Sequence, residues 1–411
     1  MVKVYSDRIK VSIDIGTTKI CVIIAQQLDA HRIEVLGMGK APSHGLKKGV
    51  VVDIGKTIHS IKRAVQEAEL MAGVKVESAY IGISGAHIHS LNSQGITPIK
   101  HGDVRQADID SVLASAQAIP VPEGQQILHV LPQYFLIDGH EKVQDPFGMH
   151  GIRLEVEAHI ILGAVSSVQN LVKCCESAGI KVADIVLEQL ASAEAVLSDD
   201  ERELGIGVLD IGGGTSDLAL YQHGSIRHTM VLAVAGNHFT NDVAIGLRTT
   251  IDDAERVKRE YGLASIKFLD QDVAIDVEMV HGNARQSVQR SALINIIEPR
   301  TRELLSLVHE ELLNRKLLSY VPAGMVITGG GSLLKGIKEV AEEIFNMPVR
   351  IGMPRIDYDL PESLNNPIYA TGYGLLMHAL KKEKHNNVHA VGGPLLQRIS
   401  ERMKSWVADF F

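Results

Sequence analysis

Two short segments carry the residue types needed to hold a polyphosphate. The first is Asp14-Ile15-Gly16-Thr17-Thr18-Lys19, and the second is Asp210-Ile211-Gly212-Gly213-Gly214-Thr215-Ser216-Asp217. Each opens with an aspartate at the end of an apolar strand and passes through small residues into another strand. Small residues let backbone N–H groups close on phosphate oxygens. The hydroxyls of Thr17, Thr18 and Thr215 can donate to the same oxygens. Asp14 and Asp210, aimed into a cleft, would position Mg²⁺ through its waters, because Mg²⁺ keeps several waters and takes few protein carboxylates. One Gly-rich hairpin is more often only a hairpin; the weight lies in the pair, in this order, with a third glycine run. That run is Thr328-Gly329-Gly330-Gly331-Ser332, and glycine there would let a flat base or ribose lie against the backbone. Its plainer reading is a helix N-terminus capped by Ser332. Glu255 and Lys258 stand three apart on a helical stretch and so face the same way. Taken alone, they are as readily a surface ion pair.

The elements that must position these residues read as α/β. Apolar runs predict strands at Val11–Ile15, Ile20–Ala25 and Ile33–Met38, a helix at Thr57–Ala72 and a strand at Ala79–Ser84. From Gly85 to Glu157 the alternation breaks into short runs with Gly, Pro and His and one polar helix near Gln106, which predicts an inserted subdomain. A second α/β half then starts with a strand at His159–Val165. It continues with helix Ser167–Ala178, strand Val182–Leu187 and helix Leu190–Ser198. Strands follow at Gly207–Ile211, Leu218–Gln222 and Ile226–Ala233. Helices follow at Asn237–Leu247 and Asp252–Tyr261, the second capped by Asp252 or Asp253. Gln289–Leu318 is a long helical pattern with Pro299 inside, which predicts a kink or break. Strand Met325–Thr328, helix Leu333–Phe345 and a helix at Ile368–Leu380 close the globule. Lys381–Pro394 reads as a linker.

The last seventeen residues are periodic again. Leu395, Leu396, Ile399, Met403, Trp406, Val407, Phe410 and Phe411 fall on one helical stripe, with Arg398, Glu401, Arg402, Lys404 and Asp409 on or beside the other face. This is the pattern of a helix lying in a membrane interface, with Arg398, Arg402 and Lys404 toward anionic head groups. A C-terminal helix docked on its own core would show the same stripe, but a docked helix seldom needs a long polar linker before it. Partial burial of such side chains predicts reversible attachment of one copy and firm attachment of many copies on a filament.

The totals bound the remaining classes. The chain has 411 residues, with 45% hydrophobic and 22% charged, enough for two or three domains or a two-lobed fold. A net charge of -8 argues against nonspecific nucleic-acid binding, which needs a basic face. Cys21, Cys174 and Cys175 offer neither a disulfide framework nor a metal site, which suits a reducing cytosol. No segment reaches about 18 consecutive apolar residues, so no membrane-spanning helix is predicted.

The ordered triple of phosphate turn, phosphate turn and glycine turn resembles the actin, DnaK-type chaperone and sugar kinase superfamily. Within it the chain resembles the FtsA family over essentially its whole length. The resemblance is carried by Met38-Gly39, Gly49 through Asp53, Tyr80 through Gly85 followed by an insertion, Val208 through Asp217, Ala235-Gly236-Asn237, Gln289-Arg290, Ile297 through Arg300, and the tail. It implies an α/β, actin-like two-lobed ATPase fold with an inserted small subdomain and a C-terminal amphipathic helix. It divides the chain into 1–84 with 158–203 and 367–382 as the first lobe, 85–157 as the insert, and 204–236 with 305–366 as the second lobe. The upper second lobe is then 237–304, the linker 383–394, and the membrane-targeting helix 395–411. It implies ATP with Mg²⁺ between the lobes, held by Gly16 to Lys19, Gly212 to Thr215, Gly236, Asn237 and Gly329 to Ser332. Glu255 and Lys258 would stand at the adenosine, with Asp14 and Asp210 at the metal. Glu188 matches the chaperone position that orients water, so a slow ATPase is an open expectation. The implied function is a polymerising adaptor that ties FtsZ filaments to the cytoplasmic face of the inner membrane at the septum. Its implied partners are the FtsZ C-terminal peptide, at 237–304 with Arg285, Arg290 and Arg300 as acceptors of its acidic groups, further copies of itself, later division proteins and anionic lipid. A PilM-type pilus-assembly adaptor and a small-molecule kinase of the superfamily are the alternatives. No Asp base with a supporting motif marks a kinase, the tail does not suit one, and the position of the insertion disfavours MreB.

Overall fold

The computed structural model describes residues 8–28, 33–280, 284–355 and 361–388, with side chains through Lys381. Its frame is one arrangement built twice. In the first sheet, Ile9–Ile15 pairs antiparallel with Lys19–Gln27, which pairs antiparallel with Ile33–Pro42. On its other edge Ile9–Ile15 runs parallel to Ser78–Ile83, and that strand parallel to Lys181–Leu187. In the second sheet, Ile206–Ile211 pairs antiparallel with Ser216–Gln222, and that with Ser225–Leu232. On the other side come Met325–Thr328 and then Val349–Ile351, both parallel. Order and direction are the same in both sheets. In the second sheet Ile206–Ile211 and Met325–Thr328 are buried on both faces, which is why they read as nearly unbroken apolar runs.

Two helices lie between the sheets: Glu188–Val196 and Ala370–Val388. They pack on each other and join Cys21 and Ile23 of the first sheet to Val208, Ala219 and Val326 of the second in one core, with Tyr373 and Leu376. Burying one such side chain is worth about 1.5–3 kcal/mol, so this layer holds the lobes together as well as spacing them.

The segment after Ser84 forms its own four-stranded antiparallel sheet in the order His89–Pro98, Arg153–Ala164, Gln125–Ile137, Lys142–Val143. Helix Gln106–Gln117 covers one face, and Val104, Val112, Ala116, Phe135, Leu154 and Val156 are among the residues of a separate core. The strand expected at His159–Val165 as the start of the second α/β half is instead the end of Arg153–Ala164. It pairs with both neighbours in this sheet, so the sheet runs past the boundary expected at Glu157.

Four local expectations are corrected. Helix Ile251–Tyr261 is capped by Thr250, whose side chain accepts from the Asp253 N–H, not by Asp252 or Asp253. Helix Arg290–Asn314 runs through Pro299 without the break expected there. The glycine turn leads into the short 3₁₀ turn Gly330–Leu333, and the helix after it starts only at Ile337. Helix Ala370–Val388 occupies the first residues of the expected linker. The amphipathic stripe at 395–411 lies outside the described residues. Among the described residues, no helix is long and apolar enough to cross a membrane.

Candidate nucleotide site

The two candidate phosphate turns are the equivalent hairpins of the two sheets, and they meet. A Cβ on Gly213 would stand 2.3 Å from Thr18 Cγ2, and one on Gly214 would stand 2.4 Å from Thr17 Oγ1 and 3.0 Å from the Lys48 Cα. Real Cβ atoms do not approach so closely, so glycine is what lets the turns interlock. The second turn is tied in turn to the helix that follows: the Gly236 N–H donates to the Gly212 carbonyl at 3.0 Å and the Asn237 N–H to that of Gly213 at 2.8 Å.

Around this contact sit four carboxylic side chains and one lysine. Lys19 Nζ lies 2.6 Å from Asp14 Oδ2. Burial alone would lower the Lys19 pKa, but Asp14 together with Cys21 and Asp210 outweighs it, and the ammonium is held above its ordinary range. Asp210 Oδ2 accepts from Ser192 Oγ and, at 3.1 Å, from Thr371 Oγ1. Burial, with the Asp14 charge, raises the Asp210 pKa against the opposing Ser192 and Thr371 hydrogen bonds. Burial, with the Asp210 charge, pushes Asp217 up to about 7. Glu188, first residue of its helix, is raised well above the usual carboxylate range by burial and then by Asp14, Asp217 and Asp210. These groups repel one another, with Lys19 set against them. A divalent cation would relieve that repulsion, so the donor set fits one. Among the described residues no group of three or more His, Cys, Asp or Glu side chains is arranged to hold a metal unaided. Mg²⁺ with ligand oxygens and waters of its own matches that donor set.

The glycine turn closes the third side. Gly329 has φ +80, and a Cβ there would stand 2.1 Å from Asp210 Oδ1. Gly331 packs on Ile211, Gly330 faces Ile368, and Ser332 Oγ donates to the Gly329 carbonyl at 2.7 Å instead of capping a helix. On the other wall, Lys258 Nζ reaches Glu255 Oε2 at 2.5 Å, Thr240 Oγ1 at 2.8 Å and the Gly236 carbonyl at 3.3 Å. The pair is therefore anchored to the backbone that carries the second phosphate turn.

A family model described as "Cell division protein FtsA" matches residues 207–374, and one described as "SHS2 domain inserted in FTSA" matches residues 85–162. The cell division protein FtsA of Pseudomonas aeruginosa is 44% identical over 417 residues, covering 100% of each chain. That of Escherichia coli strain K12 is 36% identical, covering 99% of this chain and 97% of the relative. The chain belongs to the FtsA family. It is thus a cell division protein with the actin-like fold. Among solved structures, a PilM–PilN type IV pilus biogenesis complex aligns with TM-score 0.66 at 17% identity, covering 90% of this chain and 98% of that one. MreB5 of Spiroplasma citri bound to ADP aligns with TM-score 0.56 at 16% identity, covering 94% and 99%. At those identities the likeness is one of fold.

In this FtsA-family chain the three arginines read as partner contacts are not alike. Arg300 is bidentate to Asp242, with Nε at 2.7 Å and Nη2 at 3.1 Å, and also meets Glu303. Arg290 donates Nε to the Tyr261 carbonyl at 2.9 Å and lines a groove of about 280 Å³ with Leu263, Phe268, Asp270, Lys335 and Glu339. Arg285 is exposed, 3.8 Å from Glu278. Sequence reasoning did not single out Ser84, Ser192, Asp217, Thr240 or Thr371. Asp217 closes the second glycine motif and could have been read from it. The others come from elements remote in the chain and carry no local signal.

Proposed function

We propose that this FtsA-family chain binds ATP with Mg²⁺ between its lobes, polymerises, and ties FtsZ filaments to the cytoplasmic face of the membrane at the division septum. The observation that carries the nucleotide reading is the interlock of Gly213 and Gly214 with Thr18 and Thr17 beside buried Asp14, Asp210 and Asp217. Backbone N–H groups of Gly16 to Lys19 and Gly213 to Thr215 would hold the phosphates, with Lys19 adding charge, while the Gly212 N–H donates to the Thr215 carbonyl at 2.9 Å and holds the turn's shape. Asp14 and Asp210 would hold Mg²⁺ through water, and bound Mg²⁺ would supply neutralisation of the phosphate charge. Glu255 and Lys258 would face the adenosine, opposite Gly329 to Ser332. Glu188, at the start of its helix beside Asp14, Asp217 and Asp210, would orient a water at the phosphates, which leaves a slow ATPase open. MreB5, a fold neighbour, has been solved bound to AMPPNP.

The membrane reading rests on the stripe Leu396, Ile399, Met403, Trp406, Val407 and Phe410 with Arg398, Arg402 and Lys404. The FtsZ reading rests on family membership and places the peptide on 237–304. Arg290 in its groove and the exposed Arg285 suit an acidic peptide better than Arg300, which Asp242 already occupies. Calorimetric titration with ATP and Mg²⁺ tests the cleft: the parent binds, and Gly213→Val does not. Equal affinity in both proteins contradicts the assignment.

A further inference from the structure

Ser84 stands at the root of the inserted subdomain, directly after strand Ser78–Ile83, and is 2% exposed. Its Oγ donates to Oδ1 of Asp217, which belongs to the other lobe and is 3% exposed. The same Oγ lies 3.3 Å from Thr215 Oγ1, in the second phosphate turn. The first turn reaches Ser84 as well. Thr17 Oγ1 accepts from the Gly49 N–H at 3.1 Å, and Gly49 packs so closely on Ser84 that an added Cβ would stand 2.8 Å from the Ser84 carbonyl. One buried serine therefore touches the second candidate phosphate turn directly, reaches the first through Gly49, and opens the chain into the insert.

The insert is fastened to the second lobe a second time. Ser90 Oγ donates to the Thr229 carbonyl at 2.9 Å, His159 Nε2 is 2.9 Å from Thr229 Oγ1, and Gln133 Nε2 donates to the Arg227 carbonyl at 3.2 Å. Those acceptors lie on strand Ser225–Leu232, whose Val231 is the register partner of Asp217. A shift of the second turn thus acts on the insert both at its root and through the strand on which it is docked. Gly85, next after Ser84, has φ +141, a conformation that few other residues adopt, so glycine is what allows the chain to turn from Ser84 into the insert.

We propose that the Ser84–Asp217 contact couples occupancy of the phosphate turns to the inserted subdomain, with Ser84 as a positioning residue; this rests on the reading of the cleft as an ATP site. Ser84 then does more than hold two lobes together. Its hydroxyl passes a change in the second turn to residues 85–164, where neighbouring molecules would sense it.

The test is hydrogen–deuterium exchange of the full-length protein, with and without saturating ATP and Mg²⁺, on the parent, Ser84→Ala and Ser84→Thr. In the parent, ATP changes exchange in peptides from 85–164 by on the order of 5-fold or more, the lower end of usual coupling between sites. In Ser84→Ala the ATP-dependent ratio falls to near unity while exchange at the turns still responds to ATP. Ser84→Thr, which keeps the hydroxyl, restores the ratio. A merely structural hydrogen bond would leave Ser84→Ala exchanging faster in both states with the ratio intact, and that result overturns the proposal. A parent protein that binds ATP with no change in 85–164 overturns it alone; one that binds no ATP removes the cleft reading as well.

Discussion

At the scale of single residues, glycine and hydroxyl side chains do much of the work that charge motifs advertise. Gly214 faces Thr17 Oγ1, Thr17 Cβ and the Lys48 backbone, so Gly214→Val must push the turns apart where no flexible side chain can yield. ATP affinity is expected to fall at least about 100-fold, ~2.7 kcal/mol, with the loss read by titration; a fall under about threefold would contradict the interlock. Lys258→Met strips an ammonium from Thr240, Glu255 and the Gly236 carbonyl. Lost hydrogen bonds to a charged group are worth about 1.5–3 kcal/mol, so weaker adenosine binding is expected, with discrimination against GTP also reduced; a variant indistinguishable from the parent in both removes Lys258 from the site. Asp14, Asp210, Gly213 and Gly329 were legible because each lies within a short motif. Ser192 and Thr371, which hold Asp210 in place, were not, since the bond between them and that carboxylate is made only when three distant elements meet.

At the scale of elements, the insert was recognisable by what it interrupts and not by what it is. Its strand His89–Pro98 mixes exposed and half-buried positions and Gln125–Ile137 mixes half-buried and buried ones, because helix Gln106–Gln117 and the second lobe cover only parts of the sheet. Neither strand is therefore apolar along its whole length. Where the pattern was unbroken, as in Met325–Thr328, expected and observed limits coincide. Docking of the insert leaves a testable trace in pH dependence. His159 is 1% exposed, 2.7 Å from Asn92 Oδ1 and 2.9 Å from Thr229 Oγ1, and faces His228, which itself meets Glu311. Burial, with the neighbouring His228, pushes its pKa down to about 3. Below about pH 6.5 the unfolded chain takes up a proton here that the native chain refuses, so stability falls as pH drops through that value toward the folded pKa. The slope for this site approaches ~1.4 kcal/mol per pH unit. Urea midpoints measured from pH 7 to pH 5 should decline in the parent and decline less in His159→Gln. The same decline in both proteins would show that the site does not control docking.

At the scale of the whole molecule, two sheets of identical order face each other across Glu188–Val196 and Ala370–Val388, and their equivalent hairpins supply the two candidate phosphate turns. The duplication was visible in sequence only as two aspartate–glycine motifs, one in each half. The second of the shared helices starts at Ala370, carries Thr371 beside Asp210, and precedes the C-terminal stripe in the sequence. If ATP favours assembly and assembly multiplies tails, membrane attachment should depend on nucleotide without any tail touching it. Trp406→Glu places a charge in that stripe and should weaken liposome binding far more than Asp409→Asn; equal binding of both variants would make the stripe a docking face on the protein instead. The most direct measurement is sedimentation with anionic liposomes of the intact chain and of a chain ending at Lys384, each with and without ATP and with and without FtsZ. The intact chain should pellet with the liposomes, more so with ATP, and bring FtsZ with it, while the shortened chain stays in the supernatant and leaves FtsZ there. Pelleting of the shortened chain and FtsZ to the same extent, or attachment of the intact chain indifferent to ATP, would contradict a nucleotide-dependent membrane tether.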